Sequence, residues 1–154
     1  MNERLLSYLV DHGALTPDQA AFLREEHRQT GRPVRSLLLE QGTVTEEQII
    51  EALSAVSGMP TVRLYENPIP MEVRQLVRPD LLRTYLVIPF AFDSEDGKTL
   101  QVAICDPMNM KGRDVVATAS KCRIKPFLAT SADILRSIDR CYGTAEMQEA
   151  AEQY

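Results

Sequence analysis

Two stretches of this chain repeat one another. LVDHGALTPDQA runs from Leu9 to Ala20, and LLEQGTVTEEQI runs from Leu38 to Ile49, 29 residues further on. Alignment of the copies pairs Leu5 with Val34, Leu9 with Leu38, Gly13 with Gly42, Thr16 with Thr45 and Gln19 with Gln48. Each copy encodes a short amphipathic helix, a glycine stop and a second helix that starts on a cap. Gly13 and Gly42 suit the left-handed conformation that closes a helix. Thr16 and Thr45 are N-cap residues, and Gln19 and Gln48 stand where a capping box needs them. Pro17 takes the first helical position, where a missing N–H is harmless. Glu46 and Glu47 favour the positive end of their helix.

Behind the second cap, Ile49, Ile50, Leu53 and Val56 recur at helical spacing and predict one buried face. In the first copy Ala20 and Leu23, with Phe22, take that part. One hairpin of this size cannot bury its own apolar stripe. The repeat therefore predicts a four-helix module of two packed hairpins over residues 1–58.

The remainder has a different texture. Pro60, Pro68, Pro70 and Pro79 exclude long helices. An extended piece is expected at Thr61–Leu64, with short helices at Met71–Val77 and Pro79–Thr84. LVIPFAF, Leu86–Phe92, reads as a buried strand, SEDG as a turn, and TLQVAIC, Thr99–Cys105, as an alternating strand. DPMN leads into a helix over Met110–Ser120. RIKPFLA, Arg123–Ala129, is a third strand. Thr130 and Asp133 predict a capping box for a last helix in which Ile134, Leu135, Ile138 and Tyr142 share a face, stopped by Gly143. The order β-β-α-β-α predicts a small α/β sandwich over 59–143, with helices on one face of a three-stranded mixed sheet. The fold class is thus α+β: a helical module, then the sandwich. Residues 144–154, polar and helix-prone, read as a linker or tail.

Composition narrows the function. The chain has 154 residues, a net charge of -5 and 44% hydrophobic residues. That balance suits a globular protein and offers nothing to nucleic acid or an anionic membrane. No apolar run approaches the roughly 18–20 residues needed to span a bilayer, and the N-terminus lacks a signal peptide's apolar core. Three widely spaced cysteines read as thiols of a reducing, cytoplasmic compartment.

Catalytic and metal signals are weak. Gly97-Lys98-Thr99 invites a phosphate-loop reading, but Phe92 stands where that loop needs glycine, a strand follows instead of a helix, and Asp93, Glu95 and Asp96 would repel phosphate. His12 and His27 have no partner at a metal-ligand spacing. His12 fits a role at the carboxyl end of its helix. Asp106, with Pro107 and Asn109, fits a turn leading into a helix. No nucleophile has a plausible base, so catalysis, a metal and a bound cofactor are not expected of this chain.

The repeat, then VIPF, LQVAICDPMN and the closing ILRSIDRCYG, in this order, resemble the N-terminal region, of the GspE and MshE type, of the traffic ATPases that drive type II secretion and type IV pilus assembly. The resemblance runs from Arg4 to Gly143. It implies a non-catalytic docking and regulatory module ahead of an ATPase motor, supplied in cis or in trans. Its implied partner is the cytoplasmic part of an inner-membrane platform protein, which would hold it peripheral to the inner membrane without inserting into it. The polar tail would be the tether to the motor.

Some members of that family bind cyclic di-GMP through the duplicated motif. Carried over by residue, the first copy keeps Arg4, Leu5, Leu9 and Gly13. It has Leu6 at a glycine position, Ala20 and Arg24 at leucine positions, and His27 for glutamine. The second keeps Leu38, Gly42 and Leu53, with Val34 and Ile49 as near matches; Pro33 replaces arginine, Arg35 glycine and Val56 glutamine. The apolar skeleton persists while the polar readers are mostly lost. Losing three such anchors at about 1–3 kcal/mol each would cost roughly 3–9 kcal/mol, which takes micromolar binding to millimolar or weaker. Arg24, Arg32 and Arg35 could substitute in part. The implied nucleotide-site residues are therefore Arg4, Leu5, Leu9, Gly13, His27, Arg35, Leu38 and Gly42. Arg24, Arg28, Arg32 and Arg35 form a second candidate surface, for an acidic partner, against the simpler reading of a solvated face. Three functions stay open: the docking module, a cyclic di-GMP sensor with altered ligands, and a stand-alone adaptor built on the same module.

Overall fold

The computed structural model describes residues 1–143, so the linker expected at 144–154 lies outside the described residues. The chain divides into two compact units, Met1–Gly58 and a second that begins at Met59.

The first unit holds α1 (Asn2–Asp11), α2 (Pro17–Thr30), α3 (Val34–Gln41) and α4 (Glu46–Ser57). Both capping boxes form. Thr16 Oγ1 accepts from the Gln19 amide at 3.1 Å while Gln19 Oε1 accepts from the Thr16 amide at 2.8 Å. Thr45 and Gln48 repeat this at 3.2 and 2.9 Å. α1 packs on α2 and α4, and α2 on α3. The core is built from repeat-related pairs: Leu5 and Val34, Leu9 and Leu38, Leu15 and Val44, Ala20 and Ile49 are all buried. Phe22 departs from expectation, with 55% of its surface exposed. It lies about 100° round the helix from buried Leu23, which points it off the core face.

The second unit holds a 3-10 turn (Leu64–Glu66), α5 (Met71–Arg74), α6 (Pro79–Tyr85), β1 (Val87–Phe92), β2 (Leu100–Ile104), α7 (Met110–Ser120), β3 (Ile124–Leu128) and α8 (Ser131–Tyr142). The sheet order is β1-β2-β3; β1 and β2 are antiparallel, while β2 and β3 are parallel and joined through α7. Val87, Ile88, Pro89 and Phe90 are all buried. Successive strand residues face opposite sides, so the sheet is covered on both faces there rather than on one.

Several boundaries differ from the sequence expectation for local reasons. Leu86 adopts a left-handed conformation (φ 51°) that ends α6, so β1 starts one residue later. α5 stops at Arg74, and Arg78, preceding a proline, is held extended. The expected extended piece reduces to a single parallel bridge, Thr61 to Leu128, before the 3-10 turn. Thr130 caps α8 by accepting from the Asp133 amide at 3.1 Å. The Asp133 carboxylate does not return the bond; it accepts from the Leu64 amide at 2.8 Å and ties α8 to the 3-10 turn. Leu135 is exposed while Ser137 is buried, so the buried face of α8 runs through Ile134, Ser137 and Ile138. Cys105, Cys122 and Cys141 form no disulfide.

Candidate functional site

The residues carried over for a nucleotide fall into two groups. Leu5, Leu9 and Leu38 are buried between the helices, and Gly13 (φ 75°) and Gly42 (φ 69°) make the left-handed turns after α1 and α3. These positions hold the hairpins together whether or not anything binds. The polar positions are where a ligand would be read, and most are engaged within the fold. His27 Nδ1 donates to the Arg32 carbonyl at 2.7 Å, bracing the turn between α2 and α3. Arg35 reaches from α3 to Glu46 on α4 at 3.2 Å, with only 20% and 17% of the two side chains exposed. Arg4 alone among the carried-over basic residues is exposed with no ion pair among the described residues.

The four clustered arginines also differ from an open cationic surface. Arg24 Nε meets both carboxylate oxygens of Glu3, at 2.9 and 3.1 Å, joining α2 to α1. Arg28 pairs with Glu25 at 2.5 Å, Arg32 with Glu40 at 2.6 Å and Arg35 with Glu46. The Arg28 guanidinium and the Gln29 amide hold the Glu25 carboxyl below its usual range. Each arginine thus faces an internal carboxylate, and a partner there must displace these bonds. A small groove of about 150 Å³ lies beside this network, lined by Ser7, Val10, Asp11, Pro17, Ala20 and Arg24. Its one cation is already held by Glu3.

Other residues singled out in the sequence serve structure. His12 Nδ1 donates to the Tyr8 carbonyl at 2.9 Å, and its ring stacks on Tyr8 at 3.8 Å. Asp106 accepts from the Met108 amide at 2.9 Å. Asn109 caps α7 by accepting from the Gly112 amide at 3.0 Å and donates to the Tyr85 carbonyl at 2.9 Å. A Cβ on Gly112 would lie 2.7 Å from the Asn109 amide nitrogen, so glycine there preserves that cap. Gly97-Lys98-Thr99 forms a hairpin turn in which Asp96 occupies the Lys98 and Thr99 amides, at 2.8 and 2.9 Å. Among the described residues, no group of three His, Cys, Asp or Glu side chains could hold a metal ion, and no helix is long and apolar enough to cross a membrane.

Residues 57–148 match the family described as the MshEN domain. The chain belongs to the MshEN domain family. The match covers mainly the second unit of this MshEN protein. Similarity to curated proteins extends further. It is 27% identical over 141 residues to the type IV pilus assembly ATPase PilB of Thermus thermophilus, covering 92% of this chain and 16% of that protein. It is 26% identical over 142 residues to PilB of Myxococcus xanthus, covering 92% of this chain and 25% of that one. The MshEN chain therefore spans a quarter or less of the length of these relatives. Among solved structures, MshE with cdg superposes with a TM-score of 0.76 at 20% identity, covering 90% of this chain and 99% of that one. The N-terminal domain of XpsE superposes with a TM-score of 0.70 at 24% identity, covering 92% and 95%. The helical repeat followed by a mixed three-stranded sheet is thus the architecture of the MshE and XpsE N-terminal domains.

Proposed function

We propose that this chain acts as a docking and regulatory domain for a type II secretion or type IV pilus assembly ATPase. It binds the cytoplasmic part of an inner-membrane platform protein and stays on the cytoplasmic side. One observation carries the reading: nearly all of the chain aligns with a small part of two pilus assembly ATPases. The fold shared with the XpsE N-terminal domain supports the secretion side of the same reading. The turns and caps described above account for residues that could have suggested chemistry, so the role assigned is binding without catalysis. ATP turnover by the purified chain would contradict that part.

The test is co-purification with the cytoplasmic domain of the platform protein from the same secretion or pilus system, followed by titration calorimetry. A one-to-one complex supports the reading. No complex at tens of micromolar with any platform protein of the cell sinks it. Binding to the platform in competition with a separate ATPase would instead favour the stand-alone adaptor.

A cyclic di-GMP sensor is the second reading, favoured by the fold shared with MshE, a protein solved with cdg, and by exposed Arg4. Weighing against it, His27 and Arg35 already have internal partners. The expected result is no heat of binding at high micromolar nucleotide. Saturable binding that Arg4→Ala abolishes would establish the sensor.

A further inference from the structure

The second unit carries a cleft that the docking reading does not use. It encloses about 610 Å³ and opens to solvent between two loops. The β1–β2 turn contributes Asp96, Gly97, Lys98 and Thr99, the α7–β3 turn contributes Lys121, Cys122 and Arg123, and Phe92 adds an apolar wall.

Both lips are held in place by short-range bonds. Asp96 Oδ1 accepts from the Lys98 and Thr99 amides, and Oδ2 accepts from the Thr99 hydroxyl at 2.7 Å. On the other lip, Lys121 takes a left-handed conformation (φ 58°) that ends α7. The Cys122 amide then donates to Ser120 Oγ at 3.2 Å.

Three cations of this cleft lie close together without an ion pair among the described residues. Eight other basic side chains pair with a carboxylate. Lys98, Lys121 and Arg123 are exposed and form no ion pair among the described residues. The carboxylates of the same hairpin keep their charge but form no ion pair with them. Asp96 is turned onto backbone amides, and Asp93 faces Lys125 at 3.8 Å. Glu95, the third acid of the turn, is exposed and does not line the cleft. Three free cations and one engaged carboxylate therefore line a concave surface on a chain whose net charge is -5.

We propose that this cleft binds an acidic peptide segment of a protein partner. Carboxylates of the segment meet Lys98, Lys121 and Arg123, and an apolar side chain lies against Phe92. A compact oxyanion such as phosphate fits less well. Anion-binding loops offer free backbone N–H groups to the ligand, and here Asp96 has taken those of Lys98 and Thr99. The cations sit on two lips around a volume much larger than one phosphate, which suits charges spaced along a chain. Unpaired cations around a concave wall also steer an acidic partner at low salt. The inference rests on the second unit alone and holds whether or not the platform protein is the partner.

The test is amide NMR of the whole chain titrated with a synthetic peptide of alternating Asp and Glu around a central Leu. Saturable shifts at Gly97–Thr99 and Lys121–Arg123, weakened by added salt, are expected. The K121E/R123E double variant should bind roughly tenfold or more weakly, since reversing two charges removes attraction and adds repulsion. K98A should weaken binding less, with the remaining spectrum unchanged in both variants. The proposal is overturned by absent or non-saturable shifts, by equal shifts with a control peptide in which Asn and Gln replace Asp and Glu, or by unchanged affinity in the double variant. Two further arms separate other ligands. Saturation of the same amides by inorganic phosphate below the peptide concentration would assign a phosphate ester, and capture by phosphatidylglycerol vesicles without peptide binding would assign a membrane; either overturns the peptide.

Discussion

Tyr142 closes the second unit near its described end, and its ionisation is coupled to that role. Its hydroxyl donates to the Arg74 carbonyl at 2.8 Å. Burial, and then the neighbouring Cys141, raise its pKa from 10.0 to about 12. A raised pKa contributes stability that is complete below pH 10 and is lost as pH climbs towards 12. Stability should therefore fall across that alkaline window in the wild type and less steeply in Tyr142→Phe. The variant should also lose about 1 kcal/mol at neutral pH with the hydrogen bond. Urea titrations at stepped pH read both effects, and parallel alkaline curves would contradict the assignment. At this scale the sequence shows which side chains are apolar but not which charges are paired. Leu6 and Arg35 occupy equivalent places in the two copies, yet Leu6 is buried and Arg35 bonds Glu46. That pair joins different helices, so only their packing reveals it. The same holds for Glu3 and Arg24, which lie on different helices.

Elements were most legible where local chemistry sets them. Thr-x-x-Gln and the following glycine mark helix starts and stops through bonds made within a few residues, and both copies fold that way. Boundaries were missed where a residue takes an uncommon conformation for the sake of its surroundings, as Leu86 does. Lys121 is another such residue, exposed and left-handed at the end of α7. Glycine bears that conformation without the side-chain penalty, so Lys121→Gly should raise stability by about 0.5–1 kcal/mol. Chemical denaturation checks it, and a loss of stability would mean that the lysine side chain has a contact worth keeping. The β1–β2 hairpin depends on Asp96, whose carboxyl is lowered from 3.8 to about 2 by the Thr99 amide and hydroxyl and the Lys98 amide. A lowered pKa contributes stability that is present above pH 3.8 and is lost as pH falls towards 2. Asp96→Asn should thus be less stable than wild type at neutral pH, and the difference should shrink in acid. Thermal melts between pH 2 and 7 decide it; a difference independent of pH would contradict the turn's charge dependence. The basic cleft beside this hairpin was not legible in sequence, because Lys98 and Lys121 meet only when β3 returns beside β2.

For the whole molecule, the change of texture near Pro60 separates a repeat-built part from a proline-punctuated part, and we propose that residues 1–58 and 59–143 unfold as separate units. Leu38 is fully buried in the first, so Leu38→Ala should cost about 2–5 kcal/mol. If the units are independent, amide exchange should quicken across 1–58 and stay unchanged across 59–143. Equal acceleration throughout would show a single cooperative block instead. Edge protection also works at this scale. Along β3, Arg123 and Ala129 bond β2 and Leu128 bonds Pro60 and Val62 on the other side, so alternation turns the Pro126 nitrogen outward. A proline there has no N–H to offer a stray strand, which blunts the open edge.

The packing of α1 on α4 has a consequence for synthesis on the ribosome. α1 ends at Asp11 and α4 at Ser57, so 46 further residues are made before the second partner of α1 is complete. At 5–20 residues per second that is roughly 2–9 s. During this interval Leu5, Leu6 and Leu9 lack the cover of α4, and a nascent chain paused before Gly58 would present them to chaperones.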